Sequence, residues 1–240
     1  MRTTVLVIGK RFCGPPRSGN GGYACGRVAN LLLGCCKVRL KAPPPLDVEL
    51  RAETMEREAR LFDGSALIAE AQLSPLDLLP PPAPSFAEAS DASLYMGFKD
   101  RVFPGCFVCG PQRAAGDGLR IFPGAMPTRS LVAAPWIPDA SLDDGSGNVL
   151  SEFIWAALDC TSGFSLPPLP KERARPLGEL SVRVDDAIAT GEKCVVVGWA
   201  LGADGRKHFA GSALYSEAGH AVAVGRATWI ELPRAALPVN

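Results

Sequence analysis

Histidine is nearly missing from this chain: its 240 residues include two, His208 and His220, both late in the sequence at strand-like or turn-like positions. An imidazole at a helix start, placed to move protons beside a carbonyl, therefore has no candidate. A Gly-x-Ser-x-Gly elbow is also absent, and with it a serine nucleophile of that kind. Net charge is lacking: 25 Lys and Arg balance 25 Asp and Glu. No overall field draws nucleic acid or an anionic membrane surface, so any anionic partner must be met by a local patch. No uncharged apolar run approaches the roughly 18 residues of a membrane helix. The run Val5 to Ile8, followed by Lys10 and Arg11, is too short for a signal-peptide core. These absences predict a cytoplasmic protein with neither a nucleic-acid nor a membrane partner.

What is present can build a core, since 47% of the residues are hydrophobic. Eight cysteines are even in number, yet Cys25, Cys35, Cys36 and Cys160 lie among small and apolar neighbours, as buried reduced thiols do. Cys106 and Cys109 form a single C-x-x-C. Zinc normally takes four ligands with a second pair at suitable spacing, and no histidine is near. Cys13 or Cys160 could join the pair only in three dimensions, so the expectation is no metal and no cofactor.

An order of elements recurs along the chain. Leu61 to Ala69 reads as strand, Asp63-Gly64 turn and strand, and Leu214 to Ala223 repeats this with a turn two residues longer. Upstream, Val48, Leu50 and Ala52 alternate with Glu49, Arg51 and Glu53, while Leu180, Val182 and Val184 alternate with Ser181, Arg183 and Asp185. Each pattern predicts a strand with one buried face. Cys194 to Leu201 is apolar throughout, as in a strand covered on both faces. Further upstream, 21–34 and 150–163 read as helices rich in small residues. Setting Gly34 opposite Gly163 places Asn30 opposite Asp159. Residues 74–95 break the repeat with Pro75, Pro80, Pro81, Pro82 and Pro84. The predicted organisation is a first unit 1–73, a proline-rich linker 74–100 and a second unit 101–240.

Three motifs carry a family resemblance. Cys106-Phe107-Val108-Cys109-Gly110-Pro111 with Gly116-Asp117-Gly118-Leu119-Arg120-Ile121 resembles the start of the hotdog domain in phenylacetyl-CoA-type thioesterase relatives. Leu158-Asp159-Cys160-Thr161-Ser162-Gly163 is similar to the helix in which that group places its catalytic Asp. Ser18-Gly19-Asn20-Gly21-Gly22-Tyr23 resembles the His-Gly-Gly opening of the same helix, with Asn20 in the His position. The resemblance implies an α+β double hotdog: two antiparallel sheets, each wrapped around a central helix, fused in one chain.

Its chemistry would be acyl-CoA thioester hydrolysis, which needs a carboxylate and a means of stabilising an oxyanion. Free amides and the positive end of a helix dipole supply the second. The composite site so implied joins Gly22, with Gly21, Tyr23 and Asn20, to Asp159 and Thr161. The reciprocal helix opening near Ser151 lacks paired glycines and faces Asn30, so one working site per chain is expected. On that reading Asp159→Asn should abolish most turnover and Asn30→Asp should change little. Glu152 reads as a helix-start charge. Arg113, Arg120, Lys171, Arg173 and Arg175 are candidates for coenzyme A phosphates, and Trp136, Phe153, Trp155 and Phe164 for the acyl pocket. A non-catalytic acyl-thioester binding protein is the alternative, with a hotdog dehydratase or hydratase disfavoured by the histidine positions. Association into a homo-oligomer through sheet edges stays open.

Overall fold

A computed structural model describes residues 1–93 and 103–237. Residues 94–100 of the expected linker, and 101–102 and 238–240 of the expected second unit, lie outside the described residues. The first half runs β1 (Arg2–Val7), α1 (Gly21–Ala29), β2 (Cys36–Leu40), β3 (Glu49–Thr54), β4 (Glu58–Asp63) and β5 (Ala66–Leu73). A short helix, α2 (Phe86–Ala92), follows the proline-rich stretch. The second half runs β6 (Gly124–Ala125), β7 (Val132–Trp136), α3 (Ser151–Phe164), β8 (Arg173–Ala174), β9 (Leu177–Val184), β10 (Cys194–Asp204), β11 (Lys207–Tyr215), β12 (Ala221–Ile230) and β13 (Leu232–Pro233).

Eleven strands form one antiparallel sheet in the order β1-β3-β4-β5-β2-β9-β12-β11-β10-β7-β6. The first five positions are repeated in mirror order by β9-β12-β11-β10-β7, with a helix after the first strand of each set. The two expected sheets are therefore continuous. Each half would otherwise end in an open strand edge, and β2 closes both edges by pairing with β9 from Cys36–Val182 to Arg39–Glu179. The structure also corrects the repeat alignment: the counterpart of β3 is β10, and the counterpart of β9 is β2. Alternation alone could not separate them, because β10 has no polar face over its first residues.

The reason lies on the outer side of the sheet. Cys194 and Val196 of β10 face the main core with α1 and α3. Val195 and Val197 instead join a second cluster with Ala89 and Ala92 of α2 and, around them, Leu76, Leu78 and Phe86. The proline-rich stretch is thus a strap across the second half. Arg183 Nη1 donates to Leu76 O at 2.7 Å, Arg129 Nη1 donates to Pro82 O at 3.1 Å, and the Tyr215 hydroxyl donates to Pro81 O. Ser85 and Glu88 close a capping box on α2.

Both predicted hairpins form, β4 to β5 and β11 to β12, the first turning at Gly64 with φ +55°. Helix α1 is shorter than the predicted 21–34. It stops at Ala29 because Asn30 caps it, and Gly34 takes φ +122°, which ends any helical continuation.

Candidate functional site

The two long helices cross the core in direct contact, and α1 can approach because its facing positions are glycines. A Cβ on Gly22 would lie 2.4 Å from Asp159 Cβ and 2.7 Å from Trp155 O, and one on Gly26 would lie 2.6 Å from Glu152 Cα. Four residues onward in α1 correspond to a step backward in α3, so the helices run antiparallel. The start of α1 therefore meets the later turns of α3.

That meeting point holds Asp159, which is 2% exposed. Its Oδ2 accepts a hydrogen bond from the Gly22 amide at 2.9 Å and another from Asn20 Nδ2 at 3.0 Å. Asn20 is also the N-cap of α1, its Oδ1 accepting from Tyr23 N at 2.9 Å. The carboxylate sits at the positive end of the helix dipole. Burial raises the Cys25 thiol well above its usual range, and the nearby Asp159 charge adds to this.

Of the site residues predicted from sequence, Asp159, Gly22 and Asn20 come together. The other three do not join them. Gly21 packs against Leu177 and Leu40. The Tyr23 amide is taken by Asn20, and its ring stacks on Phe12 at 4.1 Å within a cluster that includes Phe107 and Phe153. Thr161 donates its hydroxyl to Ala157 O at 3.0 Å, and its carbonyl presses on Gly198 of β10. It lies on the opposite side of α3, since two residues at about 100° each turn a side chain about halfway round the helix.

Sequence reasoning missed the partners of Glu152. It is 8% exposed, accepts from Asn30 Nδ2 at 2.8 Å and lies 3.8 Å from Arg27 Nε. This is the counterpart, across the two halves, of the Gly22–Asp159 contact. Of the two cysteines that the sequence offered as company for the C-x-x-C pair, one is in place. Cys160, next to Asp159, brings its thiol 3.8 Å from Cys106 Sγ, which is 3.5 Å from Cys109 Sγ. Cys13 points elsewhere, receiving Arg113 Nη2 at 3.0 Å.

A cavity of about 600 Å³ opens among Gly116, Arg120, Trp136, Ile137, Asp139 and Gly191, with no residue of the Asp159 centre in its lining. Of the cations considered for phosphate contacts, Arg120 lines it. Arg113 is committed to Gly105 O and Asp117, Arg173 to Glu231, and Arg175 to Pro167 O. Trp136, Phe153 and Trp155 all belong to the core, and of the candidate pocket aromatics Trp136 lines the cavity. His208 Nε2, on β11, is 3.1 Å from Glu231 Oε2, just beyond the end of β12.

No protein-family model and no curated protein matches the chain. Solved structures do. A Thermobifida fusca protein provisionally named thioesterase II is 13% identical with a TM-score of 0.60, covering 97% of this chain and 93% of its own. The TesB protein of Mycobacterium avium subsp. paratuberculosis is 12% identical with a TM-score of 0.57, covering 90% and 88%. A Lactobacillus plantarum protein provisionally named oleoyl thioesterase is 10% identical with a TM-score of 0.56, covering 97% and 96%. At such identity the likeness is one of fold. The chain shares the fold of these three structures, two of which carry thioesterase names.

Proposed function

We propose that the chain is a double-hotdog acyl-thioester hydrolase, with units 1–73 and 101–240 bridged by 74–100, and acyl-CoA as its substrate class. The observation that carries the reading is the 2.9 Å contact between the Gly22 amide and Asp159 Oδ2, made across two antiparallel helices from different halves. One group is an N–H donor at a helix start, suited to an oxyanion. The other is a buried carboxylate, suited to attack a carbonyl or to take a proton from water. In the resting chain the carboxylate oxygen occupies the amide. When a thioester carbonyl takes its place on Gly22, Asp159 is released within reach of the carbonyl carbon. The net reaction consumes water: the C–S bond breaks, a C–O bond forms, and acid and thiol leave.

Asn20 acts as a positioning residue, holding Asp159 and capping α1 with opposite ends of one amide. The centre is closed, so an acyl group reaches Asp159 only when the layer over it opens. That closure also favours the second reading, a protein that binds an acyl thioester without cleaving it.

An acyl-CoA panel assayed by thiol release separates the two. Hydrolysis by the wild type, reduced by about 100-fold or more in Asp159→Asn, supports the hydrolase, given the size of general-base effects. Tight binding with no thiol release supports the second reading. Full activity in Asp159→Asn removes the proposed role.

A further inference from the structure

The thiols of Cys106, Cys109 and Cys160 lie within 4.8 Å of one another, and all three residues are buried. Two come from the stretch between Phe103 and Pro123, which has turns but no helix or strand, and the third from α3. We propose that these three cysteines bind one zinc ion as thiolates, with the fourth coordination position on the side where Asn20 approaches.

Distance is the first support. Zinc–thiolate bonds of about 2.3 Å at a tetrahedral centre put neighbouring sulfurs about 3.8 Å apart. The observed separations are 3.5 Å for Cys106–Cys109 and 3.8 Å for Cys106–Cys160. A disulfide requires sulfurs at about 2.05 Å, far closer than any of these. Asn20 Nδ2 lies 3.9 Å from Cys106 Sγ and 3.8 Å from Cys160 Sγ, which fixes where Asn20 stands beside the triad.

The local backbone is the second support. Cys106 to Gly110 forms a C-x-x-C-G turn in which the Gly110 amide donates to Cys106 O at 2.8 Å. A Cβ on Gly110 would lie 2.4 Å from Cys106 O and 2.6 Å from both Cys106 N and Pro104 O, so only glycine permits the turn that aims both thiols inward. The irregular stretch nevertheless buries Phe107, Val108 and Ile121 completely. Long irregular segments rarely build core, and a metal cross-link to α3 gives this one a fixed seat.

The chemistry of the donors agrees. Thiolates are soft donors that suit zinc, and each coordinating thiol loses its proton to solvent on binding. The inference does not depend on the proposed hydrolysis and is tested without an activity assay.

The test is metal analysis of the full chain purified with reductant and without chelator, followed by Co²⁺ titration of the metal-free protein. Expected are one Zn²⁺ per chain and a thiolate-to-cobalt charge-transfer band. Both are lost in Cys106→Ser, Cys109→Ser and Cys160→Ser and kept in Cys35→Ser, whose thiol lies elsewhere against Val182 O. Failure of the wild type to bind zinc or to give the cobalt band overturns the site, as does an unchanged metal content in the triad variants. Where a variant does not fold, the wild-type cobalt titration decides.

Discussion

Gly22→Ala tests the helix contact on which the candidate site depends. At an open helix position the change would stabilise by about 1 kcal/mol, the usual gain of alanine over glycine. Here the added methyl would lie 2.4 Å from Asp159 Cβ, 2.7 Å from Trp155 O and 3.0 Å from Ala156 Cα. Carbon atoms rest at about 3.5–4.0 Å, so the helices must part by roughly an ångström. Overpacking of this kind costs about 1–3 kcal/mol. The separation also stretches the Gly22 amide bond to the Asp159 carboxylate, and hydrogen bonds to charged groups contribute about 1.5–3 kcal/mol. Set against the helix gain, the net loss is about 1.5–5 kcal/mol, which for a domain of this size lowers the melting temperature by about 3–20 °C. Gly105→Ala is the control, because a Cβ there meets nothing within 4 Å. Denaturant and thermal unfolding of both variants provide the measurement. Stabilisation by Gly22→Ala would refute the close crossing and the site built on it.

Asn30→Asp, expected from sequence to change turnover little, should nevertheless alter stability. It sets a carboxylate against Glu152 Oε2, where Asn30 now donates at 2.8 Å. Like charges raise both folded-state pKa values above their unfolded ones, so stability falls as pH rises through that window and returns on acidification; pH-dependent urea unfolding measures it. Tyr215→Phe removes the hydroxyl bond to Pro81 O and should cost about 1 kcal/mol, with faster hydrogen exchange in the strap. Burial pushes Tyr215 up to about 12, above its unfolded value near 10, so its stabilisation is complete below pH ~10 and is lost as pH rises through 12. Alkaline denaturation of the phenylalanine variant should therefore be shallower than that of the wild type.

The hairpins and the first turns of both helices were legible because their signals are local: an Asp-Gly turn, period-two alternation and paired glycines at a helix start. Asp159 against Gly22 followed once the two helices were taken as a pair. The strap was harder. Its prolines read as a linker, and although Ser85 and Glu88 spell a capping box, nothing local says that Leu76, Leu78 and Phe86 cover the outer face of β10. The same long-range effect left Cys13 and Cys160 as equal candidates to join the C-x-x-C pair, and only the fold shows Cys160 meeting Cys106 across 54 residues of sequence. Thr161 is different. Its position two residues beyond Asp159 already placed it on the far side of the helix, so motif adjacency misled where helical geometry would not have.

On the proposed function, the two helix contacts would make the halves of one fold unequal in chemistry. At one, the α1 start offers an amide and the Asn20 cap, while α3 offers the carboxylate Asp159. At the other the roles are exchanged. The α3 start carries the carboxylate itself, Glu152, has Leu150 as N-cap with no side-chain capping bond, and faces the amide Asn30. An acyl carbonyl arriving there would meet a negative charge at the helix start instead of a vacated N–H, and Arg27 beside Glu152 makes the contact an ion-pair clasp. A symmetric dimer of single units would have to change both contacts together. A fused chain can keep one for chemistry and use the other to lock the helices, which supports a single centre per polypeptide.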